Sequence, residues 1–223
     1  MTQMSNVPEL ETALARARQK RAEEADALAA PHSGGMDAYF AADEAVLMVE
    51  RALAAARGEA HAVPIDFPAR WSAGAPLPHL LRNDHRAILL FVVEQSDPVW
   101  DGTTVRIVGP ATEADIAMVE FTQCVSAKLG MPNDEAFHGH PLAGRGLRVY
   151  GAFEVVFSPW IAELAAINAV HPRDDPASWA ELRHFILGFH DSTFECVARG
   201  FRVETKRGSI ADLLEEACRR LVA

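Results

Sequence analysis

The chain has 223 residues, 49% hydrophobic and 23% charged, with a formal net charge of −10 and a pI of about 5.3. That balance belongs to a folded domain large enough to bury a core without disulfides, and it excludes a disordered chain. The acidic surplus argues against nucleic acid and against an anionic membrane surface as main partners, since both want a basic face.

In chain order, residues 8–30 are rich in Ala, Glu and Arg and predict a helix with a thin apolar stripe at Leu10, Leu14, Ala17 and Leu28. "PHSGG" at 31–35 breaks it. A better-patterned helix follows over 36–57. Its seam of Tyr39, Ala42, Val46, Val49, Leu53 and Ala56 steps by three and four. The seam must pack on something. The first helix or the chain's own domain is the plain expectation, and a homodimer interface is the alternative. Prolines at 64, 68, 76 and 78 mark 61–86 as an irregular connector. The expected organisation is therefore a helical segment over 1–60, a connector over 61–86 and a main domain over 87–223.

The period then changes. "AILLFVVE" at 87–94 reads as a buried strand, "SDPVWDG" as a turn, and "TTVRIVG" at 103–109 as its partner. Further strands are expected over 115–127 and 147–157, separated by a loop rich in Gly, Pro and Asn-Asp. Ser158-Pro159 and Asp175-Pro176 each announce a short helix, ending near Val170 and Leu182. Trp160, in the first turn of its helix, reads as a core anchor. A hairpin follows over 184–201, and Ser209 opens a last helix over 210–221. Strands and helices are grouped rather than alternating. The fold class is α+β: an N-terminal helical pair, then a mainly antiparallel sheet of about five to seven strands packed with helices.

The hairpin "HFILGFHDSTFEC" concentrates polar chemistry in a buried-looking run. Alternation puts Phe185, Leu187 and Phe189 on one face and His184, Ile186, Gly188 and His190 on the other. A tight turn centred on Asp191-Ser192 pairs Phe189 with Phe194 and Leu187 with Cys196. It gathers His184, His190, Thr193, Glu195 and Arg199 on the second face. Cys196 falls on the apolar face, where a thiol is inert. Gly188 would lie opposite Glu195 and leave room for a ligand.

Upstream, "HGH" supplies His138 and His140, two imidazoles able to reach one ion if that segment is extended. Joined by His190, with Glu195 near, they could hold zinc, iron or manganese as a divalent transition metal. Without metal, a His/Glu pair can move protons. Asp134 and Glu135 are turn residues first and could support the histidines. Three cysteines without a C-x-x-C pair, and a start lacking a basic-then-apolar leader, suggest a cytoplasmic protein.

The expectation is a small soluble enzyme acting on a small molecule that carries an anionic group. Glu195 would be its ligand or general base. His184 and Arg199 would orient the anion, and His138, His140 and His190 would bind metal or share proton transfer. The alternative is a non-catalytic binding or regulatory module, dimeric through the N-terminal helices.

Overall fold

The computed structural model describes residues 7–29, 36–94 and 108–222. Five helices and nine strands lie among them, with the strands in two antiparallel sheets. By compactness the chain divides into two units. The described residues up to Val63 group with His138–Arg148 and Val155–Pro159; the rest form the second unit.

In the first unit, α1 (Val7–Ala29) and α2 (Asp37–Ala56) pair. Val46 and Leu53 of the α2 seam bury against Leu14, with Leu10, Ala17 and Val49 packed around them. The Val46, Val49 and Leu53 part of the seam thus packs on α1. Arg51 reaches from α2 to the carbonyls of Ala62 and Gly146, 3.2 Å each, so it ties the loop at 138–148 to the helix. Gly146 makes this possible. Its φ is +84°, and a Cβ there would stand 2.8 Å from the Ala62 carbonyl oxygen.

In the second unit, β3 (Arg86–Val92) explains its own sequence. From Ala87 onward it is apolar because both its faces are covered. Ala87, Leu89 and Phe91 join the core with Ala117, Val119 and Phe121 of β4 (Ala114–Thr122). Ile88, Leu90 and Val92 pack instead with Ile210, Leu213 and Ala217 of α5 (Ile210–Val222). Ser209 caps α5: its hydroxyl accepts from the Asp212 amide at 3.1 Å. Across the core lie Phe185 and Leu187 of β7 (Arg183–Gly188) and Phe194, Cys196 and Ala198 of β8 (Thr193–Ala198). Within this unit the strand orders are β6 (Ala152–Val156), β7, β8, β5 (Ser126–Gly130) and β2 (His79–Arg82), β3, β4, β9 (Gly200–Gly208).

Several expectations change. The connector contains two short strands, β1 (His61–Pro64) and β2 (His79–Arg82), and a buried Trp71. The strand expected over 115–127 is two: β4 ends at Thr122, Gln123 turns with φ +48°, and β5 (Ser126–Gly130) enters the other sheet. The run 147–157 holds only β6 (Ala152–Val156). The helices at 159–170 and 176–182 are α3 (Pro159–Asn168) and a single turn, α4 (Pro176–Trp179). The tail of the hairpin is a separate strand, β9 (Gly200–Gly208), paired along all of β4. The break at 31–35 and most of the strand expected over 103–109 lie outside the described residues.

The hairpin keeps its faces but not its register. Leu187 pairs with Phe194, Phe185 with Cys196 and Ile186 with Glu195, a slip of two residues from the expected partners. An even slip leaves every side chain on its expected face. Gly188 therefore lies opposite Thr193, not Glu195. The room expected above it is filled: a Cβ on Gly188 would stand 3.3 Å from the Phe137 ring.

Phe121 touches the rings of Phe185, Phe194 and Phe201, with centroids 5.9, 5.0 and 5.9 Å away. Phe121→Ala should cost about 3–5 kcal/mol of unfolding free energy, read by denaturant titration. A loss under about 1 kcal/mol would mean that this ring does not join the sheets as described.

Candidate functional site

The expected site residues fall into three places. His138 and His140 belong to the first unit, while His184, His190, Glu195 and Arg199 belong to the second. The "HGH" segment is not extended, because Phe137–Gly139 is a 3-10 turn. A turn does not hold i and i+2 on one side as a strand does. His140 Nδ1 accepts from the Leu142 amide at 3.1 Å, so this ring serves its own loop. Among the described residues no group of three or more His, Cys, Asp or Glu side chains is gathered as a metal site would require.

The second place is the outer face of β7 and β8. His184 Nε2 lies 3.0 Å from Glu195 Oε2, and Lys128 Nζ lies 2.8 Å from Glu195 Oε1. The Lys128 ammonium stands over the Trp160 ring at 5.0 Å, and the Trp160 ring meets His184 edge-on. Glu195 and His184 keep only 8% and 5% of their side chains exposed. Trp160 is thus the wall of a polar cluster rather than a plain core anchor. Arg199 is not part of the cluster; its guanidinium pairs with Glu181 at 2.6 Å. Both residues expected to orient an anion are engaged by carboxylates.

The third place is the hairpin loop. Phe189 turns inward against Trp71 and Phe91, with centroids 4.9 and 5.4 Å away. The next residue, His190, therefore leaves the core. Its Nδ1 lies 2.8 Å from Asp134 Oδ2 and 2.9 Å from Tyr150 Oη, and Tyr150 donates to the same Asp134 oxygen at 2.6 Å. The loop bearing Asp134 is stapled down by its own amide, 2.9 Å from the His190 carbonyl, and by Thr193, whose hydroxyl donates to Pro132 at 2.7 Å. Tyr150 reaches Asp134 from a left-handed backbone, φ +56°, which costs a tyrosine about 1–3 kcal/mol. Gly151 beside it has no room for a side chain, since a Cβ would stand 2.6 Å from the Phe153 ring.

The electrostatics follow from these contacts. The hydrogen bond and charge of Asp134 raise the pKa of His190. The Tyr150 hydroxyl, and then His190, hold the Asp134 carboxyl below its usual value. Burial, then the bond to Asp134, pushes the Tyr150 phenol up to about 12. Cys196, read as inert, is buried and its thiol is raised well above its ordinary value.

Sequence reasoning had His190 but gave it Glu195 as its carboxylate. Its carboxylate is Asp134, 56 residues upstream. Tyr150 was hidden inside an expected strand. Only Asp134's place near the "HGH" run hinted at a supporting role. Comparison of the chain with known protein families, curated proteins and solved structures finds no match.

Two outcomes follow. His190 should titrate above about 6.5, and Asp134→Asn should bring it down, both visible in the ring resonances by NMR. A group whose pKa is raised by folding stabilises below its unfolded value, and that contribution fades as pH rises through the folded value. The stability gap between wild type and His190→Ala should therefore be widest near pH 5 and shrink toward pH 8. For the buried pair, Glu195→Ala alone should cost about 1–3 kcal/mol by removing the carboxylate that the buried His184 Nε2 bonds. His184→Leu with Glu195→Leu should cost much less than the two single losses together. A double variant as damaged as their sum would assign the pair a role other than a mutual buried contact.

Proposed function

We propose that the protein is a small acid–base enzyme whose working group is the imidazole of His190. One observation carries the reading: a carboxylate holds His190 Nδ1 at 2.8 Å while 42% of the side chain stays exposed. In the neutral ring, Nδ1–H donates to Asp134, and the lone pair on Nε2 faces outward as a base. The Asp134 charge stabilises the imidazolium that forms when Nε2 takes a proton. The Tyr150 hydroxyl donates to the same carboxylate oxygen and shares the Nδ1 proton, so the ring is fixed in plane and tautomer. A base with a raised pKa can also return the proton, which suits elimination, isomerisation or hydrolysis.

The buried Glu195 fits the role of general base less well, since His184 and Lys128 engage both its oxygens. A second reading, a binding module, is favoured by α3. Glu163 is the only charge in this ten-residue helix, and none of its residues is buried. A helix with so few polar positions ordinarily belongs in a core or against a partner.

The test incubates the purified protein with a pool of small metabolites and follows each by mass spectrometry. The expected outcome is a compound consumed by wild type and spared, by roughly a hundredfold or more in rate, by His190→Ala. Asp134→Asn should fall between them. Consumption unaffected by His190→Ala would sink the assignment. No consumption at all would leave the binding module as the better account.

A further inference from the structure

Among the described residues, the charges that act on the His190 ring are those of carboxylates, Asp134, Asp191 and Glu135. Nε2 lies 3.9 Å from Asp191 Oδ1, and the Asp191 side chain is 84% exposed. Asp134 sits at the other edge of the ring. Glu135, exposed beside it in sequence, is also close enough for its charge to act on the imidazole. Tyr150, the remaining titratable group in contact, is neutral around pH 7. The side chains expected to orient an anion are engaged elsewhere in this unit: His184 with Glu195 and Arg199 with Glu181.

We infer that the substrate of the His190 site is a cation, a small molecule carrying an ammonium or guanidinium group next to the atom that exchanges a proton with Nε2. This rests on the acid–base reading above, and it departs from the anionic substrate expected from sequence. The physical argument is direct. An anion placed at Nε2 meets Asp191, and like charges in one site cost affinity. A cation there satisfies Asp191, which the loop otherwise leaves in water. It also does chemical work. The carboxylates that raise the pKa of His190 favour the protonated ring. A bound positive charge opposes that effect and returns Nε2 to its basic form. The substrate would thus help to generate the base that acts on it, while a neutral or anionic analogue would not.

Charged alkylating agents test this without a known substrate. In each case Nε2 of the neutral ring displaces bromide. The full-length protein is treated at low salt with (2-bromoethyl)trimethylammonium, bromoacetamide or bromoacetate, and modification of His190 is timed by peptide mass spectrometry. N-acetylhistidine, treated in parallel, supplies the intrinsic reactivity of each reagent. The cation-to-anion rate ratio at His190 should exceed the reference ratio by roughly three- to tenfold. It should fall toward the reference in Asp191→Asn, further in Asp191→Asn with Glu135→Gln, and also at high salt. A ratio at or below the reference, with bromoacetamide still reacting, overturns the cationic substrate and leaves the base standing. Failure of bromoacetamide to modify His190 overturns both, because Nε2 would then be out of reach. A preference that survives in the double variant also overturns the inference, since its cause would lie outside these carboxylates.

Discussion

The shared aromatic layer between the two sheets is the constraint on which the rest of the second unit depends. Phe121, Phe185, Phe194 and Phe201 meet there with Trp71, Phe91 and Phe189 at the other end. Aromatic pairs of this kind add specific geometry to large area burial. Because Phe185, Leu187, Phe194 and Cys196 must face that layer, His184 and Glu195 must face away from it. Because Phe189 is drawn into the layer from within the loop, His190 must leave it. The placing of each titratable group on the hairpin is thus a consequence of where the rings go.

Face parity was legible in the sequence and register was not, and the reason is physical. Any even loop puts the same residues on the same faces, so alternation cannot tell a turn centred on Asp191-Ser192 from one displaced toward Phe189. What selects the observed pairing is tertiary: Phe189 has somewhere to go, beside Trp71 and Phe91. The cost of missing it was Gly188, read as open space beside a carboxylate and found against the Phe137 ring. Likewise β1 and β2 are four residues each, among prolines, too short for a period to show. β9 carries a charged alternation that reads equally well as the end of a hairpin. The long periodic segments, α1, α2, β3 and α5, were legible because many positions repeat one message.

Two histidines six residues apart meet opposite conditions. His184 is buried against the Glu195 carboxylate and the Trp160 indole, and Lys128 pairs with the same carboxylate. Taking the Glu195 carboxylate from water is costly, and its contacts with His184 and Lys128 offset that cost. His190 stands half in water with its carboxylate on a neighbouring loop. Its ion pair adds little stability for that reason, yet the exposed edge keeps the ring open to another molecule. The features that make the first cluster a good structural unit make it a poor proton exchanger, and the reverse holds for the second.

Tyr150 shows how the second cluster can be held in position without burial. Asp134 offers one oxygen, Oδ2, to two donors, the His190 ring and the Tyr150 hydroxyl. Two donors on one oxygen restrict the carboxylate more than either alone, and a restricted carboxylate restricts the imidazole. The phenol reaches that point because its backbone adopts a left-handed conformation, with Gly151 closing directly onto the Phe153 ring. Strain of this kind persists only where the surroundings over-determine it. Here the neighbouring Ala152 and Phe153 are held in β6, paired with Leu187 and Ile186 of the hairpin strand β7. The hairpin that carries His190 outward therefore also anchors the residue that orients it, so the loop, the carboxylate and the phenol are set by one sheet rather than by three independent segments.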